Sequence, residues 1–266
     1  MLAYRIGFIG AGNMASAIVN GAGRRCIVLP ENVWLSDPDM EKMLSFRARG
    51  VNVTTSNIEA ADAANIVVLA VKPQMFDKVL PELVDHVKGK CVVSIAAGIS
   101  TQYIKERLPG AYVVRVMPNT PMLIGRGVSA IAKAPDVPAA YFDAVLELFN
   151  AAGETVLVEE EQINAVIAVS GSSPAYFFRF AAAMVDEGVK MGLEPEVALK
   201  LAAITMEGSA GMLLKSGKTA QELTRQVCSP GGTTLAALTA FDDAGMEAMV
   251  ADAMERCVKR AEELGK

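Results

Sequence analysis

The sequence predicts an α/β fold: a doubly wound parallel sheet over residues 1–158, followed by an all-helical region over residues 159–266. Three observations predict it. Short apolar runs alternate with helical patterns through the first region. A glycine-rich loop joins the first run to the first helix, and the chain beyond Glu159-Glu160-Glu161 reads as helix and turn only. Strand-helix alternation is the signature of a sheet with helices on both faces.

The first run is Tyr4–Ile9, and the helix after it is Asn13–Gly23. Val33–Leu35 precedes a helix over Asp39–Arg49, Asn65–Val71 one over Gln74–Val87, and Cys91–Ile95 one over Thr101–Leu108. Ala111–Val116 follows, and then Gly127–Ala132 and Thr155–Val158 flank a helix at Ala139–Ala151. The runs are rich in Val and Ile and apolar on both faces, as strands buried under helices are. In the second region turns are expected at Ser170–Pro174, Gly192–Pro195, Ser216–Lys218 and Ser229–Gly232. Ala175–Val185 carries one charge, Arg179, so that helix must be covered on nearly every side, most easily by a second copy of the chain. The three glutamates read as a solvated helix start, where negative charge suits the dipole.

Composition narrows the function. With 266 residues, 52% hydrophobic and 21% charged, the chain can bury a core and is not disordered. The net charge of −5 leaves no footprint for a nucleic acid or an anionic membrane. Residues 1–158 hold 15 Lys/Arg and 14 Asp/Glu, whereas residues 159–266 hold 10 and 16, so the first region is the better host for an anionic ligand. Cys26, Cys91, Cys228 and Cys257 are widely spaced, which reads as reduced cysteine in the cytoplasm and offers no zinc set. The single histidine, His86, argues against a His-rich metal site or a Ser-His-Asp triad. The N-terminus lacks the basic segment and cleavage site of a signal peptide, and no uninterrupted apolar stretch reaches membrane-spanning length.

Two constellations carry chemistry. In Gly7-Phe-Ile-Gly10-Ala-Gly12-Asn13-Met14-Ala15, a G-x-G-x-x-A pattern follows a strand and opens a helix. Gly10 serves the tight turn, Gly12 lets a pyrophosphate approach the backbone, and Ala15 permits close helix–strand packing. The helix N-terminus then offers free N–H groups to the anion. Beyond the second strand, Ser36 suits a 2′-phosphate, while Asp37 either holds a ribose diol or caps the next helix with Asp39, so NADP and NAD both stay open. Lys72 and the small residues Ala96-Ala97-Gly98 lie past further strand ends, as does Met117-Pro-Asn119-Thr120-Pro121. The second constellation is Ser229-Pro230-Gly231-Gly232-Thr233-Thr234, where a forced turn and two threonines open an apolar helix. Successive N–H groups at such a turn form a concave anion site fit for a carboxylate.

Taken in order, these motifs resemble the pyrroline-5-carboxylate reductase family. The likeness extends through Ala70-Val71-Lys72-Pro73, Ser170-Gly-Ser-Ser-Pro-Ala-Tyr176 and Asp186-Glu-Gly188, and Ser-Pro-Gly-Gly-Thr-Thr is its most specific part. The resemblance implies a Rossmann-type domain (1–158) and an all-α dimerisation and substrate domain (159–266). It implies reduction of 1-pyrroline-5-carboxylate to L-proline with NADPH or NADH. By carry-over, the cofactor touches Gly10, Gly12, Asn13, Met14, Ser36, Asn57, Val71, Lys72 and Ala97. The substrate carboxylate lies on Ser229, Gly231, Gly232 and Thr233, and Thr234 is the catalytic residue, bonding the ring nitrogen. It also implies a homodimer through C-terminal helices, in some members five dimers in a ring, with each site shared between chains. Two departures stand out. Gly171-Ser172-Ser173-Pro174 replaces the family's Gly-Ser-Gly-Pro, and Ile167 stands where it has threonine. Other Rossmann enzymes with a helical second domain, such as 3-hydroxyacid dehydrogenases, use a lysine on a long helix, but the helix after Pro174 has only Arg179 and then Lys190. A non-catalytic dinucleotide sensor would need the glycine loop but not the second constellation.

Overall fold

The computed structural model describes residues 2–265. β1 (Ile6–Ile9) leads into α1 (Asn13–Arg24), β2 (Val33–Ser36) into α2 (Leu44–Arg47), and β3 (Asn52–Thr54) into α3 (Asn57–Ala63). β4 (Ile66–Leu69) precedes α4 (Phe76–Leu83), and β5 (Cys91–Ser94) precedes α5 (Thr101–Arg107). β6 (Tyr112–Met117), β7 (Gly127–Ala132), α6 (Ala139–Asn150) and β8 (Gly153–Val158) complete the sheet region. The helices that follow are α7 (Ile163–Val166), α8 (Ser173–Lys190), α9 (Pro195–Lys215), α10 (Ala220–Val227), α11 (Thr233–Asp243) and α12 (Met246–Leu264).

The strands form one sheet in the order β3-β2-β1-β4-β5-β6-β7-β8. All neighbours are parallel except β6 and β7. Parallel neighbours need a crossover of a dozen or so residues, and the short link after Met117, a single 3-10 turn at Thr120–Ile124, cannot supply one. α6 supplies it between β7 and β8. β1, β4 and β5 are buried at all four positions, as apolar runs covered on both faces should be. Phe8, Leu35, Val93 and Val114 point to the face where Ile18 of α1 and Phe149 of α6 pack. Ile9, Leu69 and Val92 point to the other, against Leu80 of α4 and Ile104 of α5. Each such side chain contributes about 1.5–3 kcal/mol when fully buried. Strand order reverses at β1, so the carboxyl ends of β1 and β4 open the crevice where doubly wound sheets take ligands.

The structure departs from the sequence expectations in four places. β3 and α3 fill a stretch for which no element was expected; Asn-Val-Thr is too short and polar to announce an edge strand. His86 lies in the turn beyond α4, with Nδ1 2.7 Å from Asp62 Oδ1, near the amino ends of the strands. The turn expected at 170–174 is a π-helical stretch, Ile167–Gly171, running from α7 toward α8. The three glutamates do open a helical turn, and Glu159 and Glu161 are exposed there as expected, but Glu160 is not solvated like them. Glu159 and Gln162 make a reciprocal capping box, and Glu160 is only 28% exposed beside Arg115.

Contacts divide the chain into two compact units. One runs to Pro174 and takes up the stretch from Arg256; the other is Ala175–Glu255. The first unit extends past residue 158 because Ile163 of α7 packs on Ala130 and Ala132 of β7. In the second unit few side chains are covered: Ala198, Ala202 and Leu223 are buried, whereas Phe178 is 67% and Leu214 85% exposed. Phe180 and Phe241 stack within it, ring centroids 6.1 Å apart. α9 is long and apolar enough to cross a membrane by length and composition, although Lys200 and Glu207 interrupt it.

Candidate active site

The glycine loop sits at the carboxyl end of β1. Gly10 has φ +99°, and a Cβ there would stand 2.8 Å from the Ala70 carbonyl oxygen, so only glycine fits between β1 and β4. Gly12 is different. Nothing in the protein lies within 4 Å of a Cβ built on it, so packing does not demand glycine there. It caps α1 without a side-chain hydrogen bond, and no acidic residue occupies the first turn of that helix. The first N–H groups of α1 therefore face open space beside exposed Asn13 and half-buried Met14, with the positive dipole end behind them. A dinucleotide pyrophosphate fits that space.

The tip of β2 is occupied by its own hydrogen bonds. Asp37 is buried; Oδ2 accepts from the Ala11 N–H at 3.0 Å and Oδ1 from the Asp39 N–H at 3.0 Å. Its carboxylate thus braces the glycine loop. Lys42 Nζ lies 3.5 Å from Asp37 and 3.5 Å from Asp39, so a cation accompanies the two acids. Ser36 is fully buried, and its hydroxyl donates to Asn57 Oδ1 at 2.7 Å. Of that pair, Asn57 at the start of α3 is the one with exposed surface.

Val71 and Lys72 follow β4; Val71 is half-buried, its Cγ1 beside Gly10, and Lys72 is exposed with no ion-pair partner among the described residues. Half-buried Ala97 follows β5. Gly10, Gly12, Asn13, Asn57, Val71, Lys72 and Ala97 thus all sit at the carboxyl ends of the parallel strands or the helix starts beyond them. Asn119, past the end of β6, is buried. Its Oδ1 accepts from the Val128 N–H at 2.9 Å, and its Nδ2 donates to the Ser170 carbonyl at 3.2 Å. Asn119 therefore ties β7 to the π-helical stretch, a feature common near functional sites. The two departures from the family pattern lie there. Ile167 opens the stretch with its side chain buried in place of a hydroxyl, and Ser173 is buried at the start of α8 without a left-handed φ.

In the second unit, Ser229–Gly232 turn the chain into α11. Gly231 has φ +70°, and a Cβ on Gly232 would meet Ser229 Oγ at 2.4 Å. Gly232 is the N-cap and no side chain caps the helix, so neither threonine serves as a plain cap. Among the described residues the Thr233 and Thr234 hydroxyls have no hydrogen-bond partner in the chain, and Thr234 is half-buried. Free N–H groups and two hydroxyls thus converge on one turn, donors suited to a carboxylate and a neighbouring polar atom. Cys91 is buried, which pushes its thiol up to about 12 and leaves it inert at neutral pH. No group of three His, Cys, Asp or Glu side chains that would hold a metal occurs among the described residues.

Comparison with known proteins agrees with both halves. Residues 160–264 match the family model for pyrroline-5-carboxylate reductase dimerisation, and residues 5–98 that for NADP oxidoreductase, coenzyme F420-dependent. The chain is 38% identical to pyrroline-5-carboxylate reductase of Escherichia coli strain K12 over 98% of each chain. It is 40% identical to that of Pseudomonas aeruginosa over 98% of this chain and 96% of the other. Among solved structures, it superposes on Plasmodium falciparum pyrroline carboxylate reductase with NADP bound at TM-score 0.92 and 30% identity, covering both chains fully. The Coxiella burnetii enzyme gives 0.90 at 32% identity, again over both full chains. Prephenate dehydrogenase from A. aeolicus, at 12% identity and TM-score 0.56, shares the fold alone. The helical half is thus the family's dimerisation region, which accounts for its uncovered apolar faces, and the chain belongs to the pyrroline-5-carboxylate reductase family.

Proposed function

We propose that this protein reduces 1-pyrroline-5-carboxylate to L-proline, the last step of proline biosynthesis, with NADPH as hydride donor and NADH as an alternative. The observation that carries the reading is the turn into α11: the Gly232 N–H closes the turn on the Ser229 carbonyl at 2.9 Å, no side chain caps the N–H groups of the first helical turn, and Thr233 and Thr234 keep unspent hydroxyls. The substrate carboxylate rests on Ser229, Gly231, Gly232 and Thr233. Thr234 hydrogen-bonds the ring nitrogen and orients the imine. An imine carbon accepts hydride most readily when its nitrogen is protonated, so positioning and electrostatics suffice and no strong acid–base residue is required.

The nicotinamide cofactor supplies the hydride when bound. This chain's residues then have three tasks: Gly10, Gly12, Asn13 and Met14 receive the pyrophosphate, Asn57 receives the adenosine ribose with buried Ser36 acting only through its hydrogen bond to Asn57, and Val71, Lys72 and Ala97 receive the nicotinamide half. Asp37 spends both carboxylate oxygens on backbone N–H groups and Lys42 pairs with Asp37 and Asp39, so neither a 2′-phosphate nor a bare diol is singled out by the β2 tip. The protein works in the cytoplasm as a homodimer through its C-terminal helices, with each site shared between chains; a decamer of five such dimers is the further assembly that light scattering would test.

The test is steady-state oxidation of NADPH and of NADH, followed by absorbance, with the pyrroline substrate. Thr234→Ala is expected to lower kcat/KM roughly 10- to 1,000-fold, the range of a lost transition-state hydrogen bond. Unchanged kinetics in that variant would sink the assignment of Thr234, and cofactor binding without turnover in the parent would favour a sensor.

A further inference from the structure

The loop between β5 and α5 carries Ala97, and it is gripped at two points by groups the reaction itself does not use. At its exit the Thr101 N–H donates to Glu160 Oε1 at 2.7 Å, and the Thr101 hydroxyl donates to Glu160 Oε2. Glu160 is held in turn by Arg115 of β6, whose Nη1 lies 3.5 Å from Glu160 Oε1 and whose Nη2 lies 3.4 Å from Asn164 Oδ1. The Arg115 side chain is only 6% exposed, and its Nε is buried without a partner. Burial pulls this guanidinium below its ordinary pKa, and Glu160 pulls it back. The second grip is at Gly98, which has φ +81°. A Cβ there would meet the Ala261 carbonyl oxygen at 2.6 Å, and a Cβ on Gly265 would meet the Gly98 carbonyl oxygen at 2.2 Å. The end of α12 therefore lies backbone to backbone on the loop.

A buried arginine with one unpaired N–H is a poor way to gain stability, because an apolar residue of similar volume is often as good or better. Its presence behind this loop points to another role. We propose that Arg115 and Glu160 are positioning residues: together they hold the Ala96–Gly98 loop, against the end of α12, at the height required for the reduced nicotinamide ring to lie over it. The placement of the ring rests on the function proposed above; the grip on the loop does not.

The experiment uses the full chain and three variants, Arg115→Met, Glu160→Ala and Glu160→Gln. In cofactor-free protein, hydrogen exchange at the amides of 96–101 is expected to quicken about tenfold in Glu160→Ala and Arg115→Met, while exchange in β1 and β4 stays as in the parent. NADPH affinity, read by titration, should fall several-fold, and kcat roughly 10- to 100-fold, the scale of an ångström misplacement, with KM for the pyrroline acid unmoved. Glu160→Gln keeps an acceptor for Thr101 and should recover most of both losses. Arg115→Met should melt at or above the parent temperature. Unchanged local exchange in a folded Glu160→Ala protein overturns the proposal. So does equal quickening across the whole sheet, which would mark a purely structural pair. If the parent turns over no pyrroline acid, the functional reading fails, and the exchange and titration arms still decide the grip.

Discussion

The two halves of this chain are apolar in different ways. In the sheet unit the apolar side chains are spent: Phe8, Phe149, Leu69 and Leu80 are sealed between strands and helices. In Ala175–Glu255 equally apolar helices leave Phe177, Phe178, Leu201, Leu214 and Met249 in the open. A monomeric soluble protein rarely shows so much contiguous apolar surface. The first half thus owns its core, and the second holds half of one, as a dimerisation region must. Similar hydrophobic content therefore says little about whether a segment folds for itself or for a partner.

The sharpest way to break this contrast is to charge exposed apolar residues, two in the helical half and one in the sheet unit. Phe178→Glu combined with Leu214→Glu should abolish the homo-oligomer and cost roughly 100-fold or more in activity at ordinary assay concentrations, because assembly sets the stability of the shared core. Leu44→Glu, at a residue 51% exposed in the sheet unit, should change stability by no more than about 0.5 kcal/mol. Light scattering during gel filtration separates the two results, and an intact oligomer in the double variant would refute the comparison. Next in size, Phe149→Ala in the private core should cost about 3–5 kcal/mol in urea unfolding at fixed protein concentration. Gly10→Ala follows. Strain at φ +99° and the nearby Ala70 carbonyl should cost about 1–3 kcal/mol, seen as NADPH affinity lowered tenfold or more in a protein that still assembles.

The smallest effect is electrostatic. Lys105 Nζ lies 2.5 Å from Asp136 Oδ2, and that hydrogen bond holds the Asp136 carboxyl below its usual value of 3.8. A depressed folded-state pKa contributes stability above the unfolded value and loses it as pH falls through the folded one. Asp136→Asn should therefore destabilise the protein by less than about 1 kcal/mol at pH 7, because the pair is largely solvated, and by nothing once the pH lies below both values. Urea midpoints at neutral and strongly acidic pH would show whether the difference closes.

Much of the fold was legible because it depends on local pattern. Gly127–Ala132 was bounded without error, and α1 and α5 to within a residue, since an apolar run under two layers of helix has one reading. β3 and α3 were not legible: three and seven residues are too few to show a period. The π-helical stretch was missed because slipping the hydrogen-bond register by one leaves the apolar spacing almost unchanged. The glycine loop and the Ser229–Thr234 turn were legible because glycine and proline announce backbone shape directly. Asp37, Asn119 and Glu160 were not, since each is defined by a partner 26 to 59 positions away. A side chain that reads as a cap or a solvated charge takes its role only when the chain has closed around it.

The meeting of Gly98 and Gly265 also has a temporal side. Gly98 and the segment it rests on, Ala261–Gly265, lie more than 160 positions apart in the sequence. On a ribosome the sheet through β6 can pair, and its glycine loop can take shape, well before position 265 emerges. The Gly98 turn can therefore settle only once residues 261–265 have been made, well after the turn at Gly10 has its strand partners.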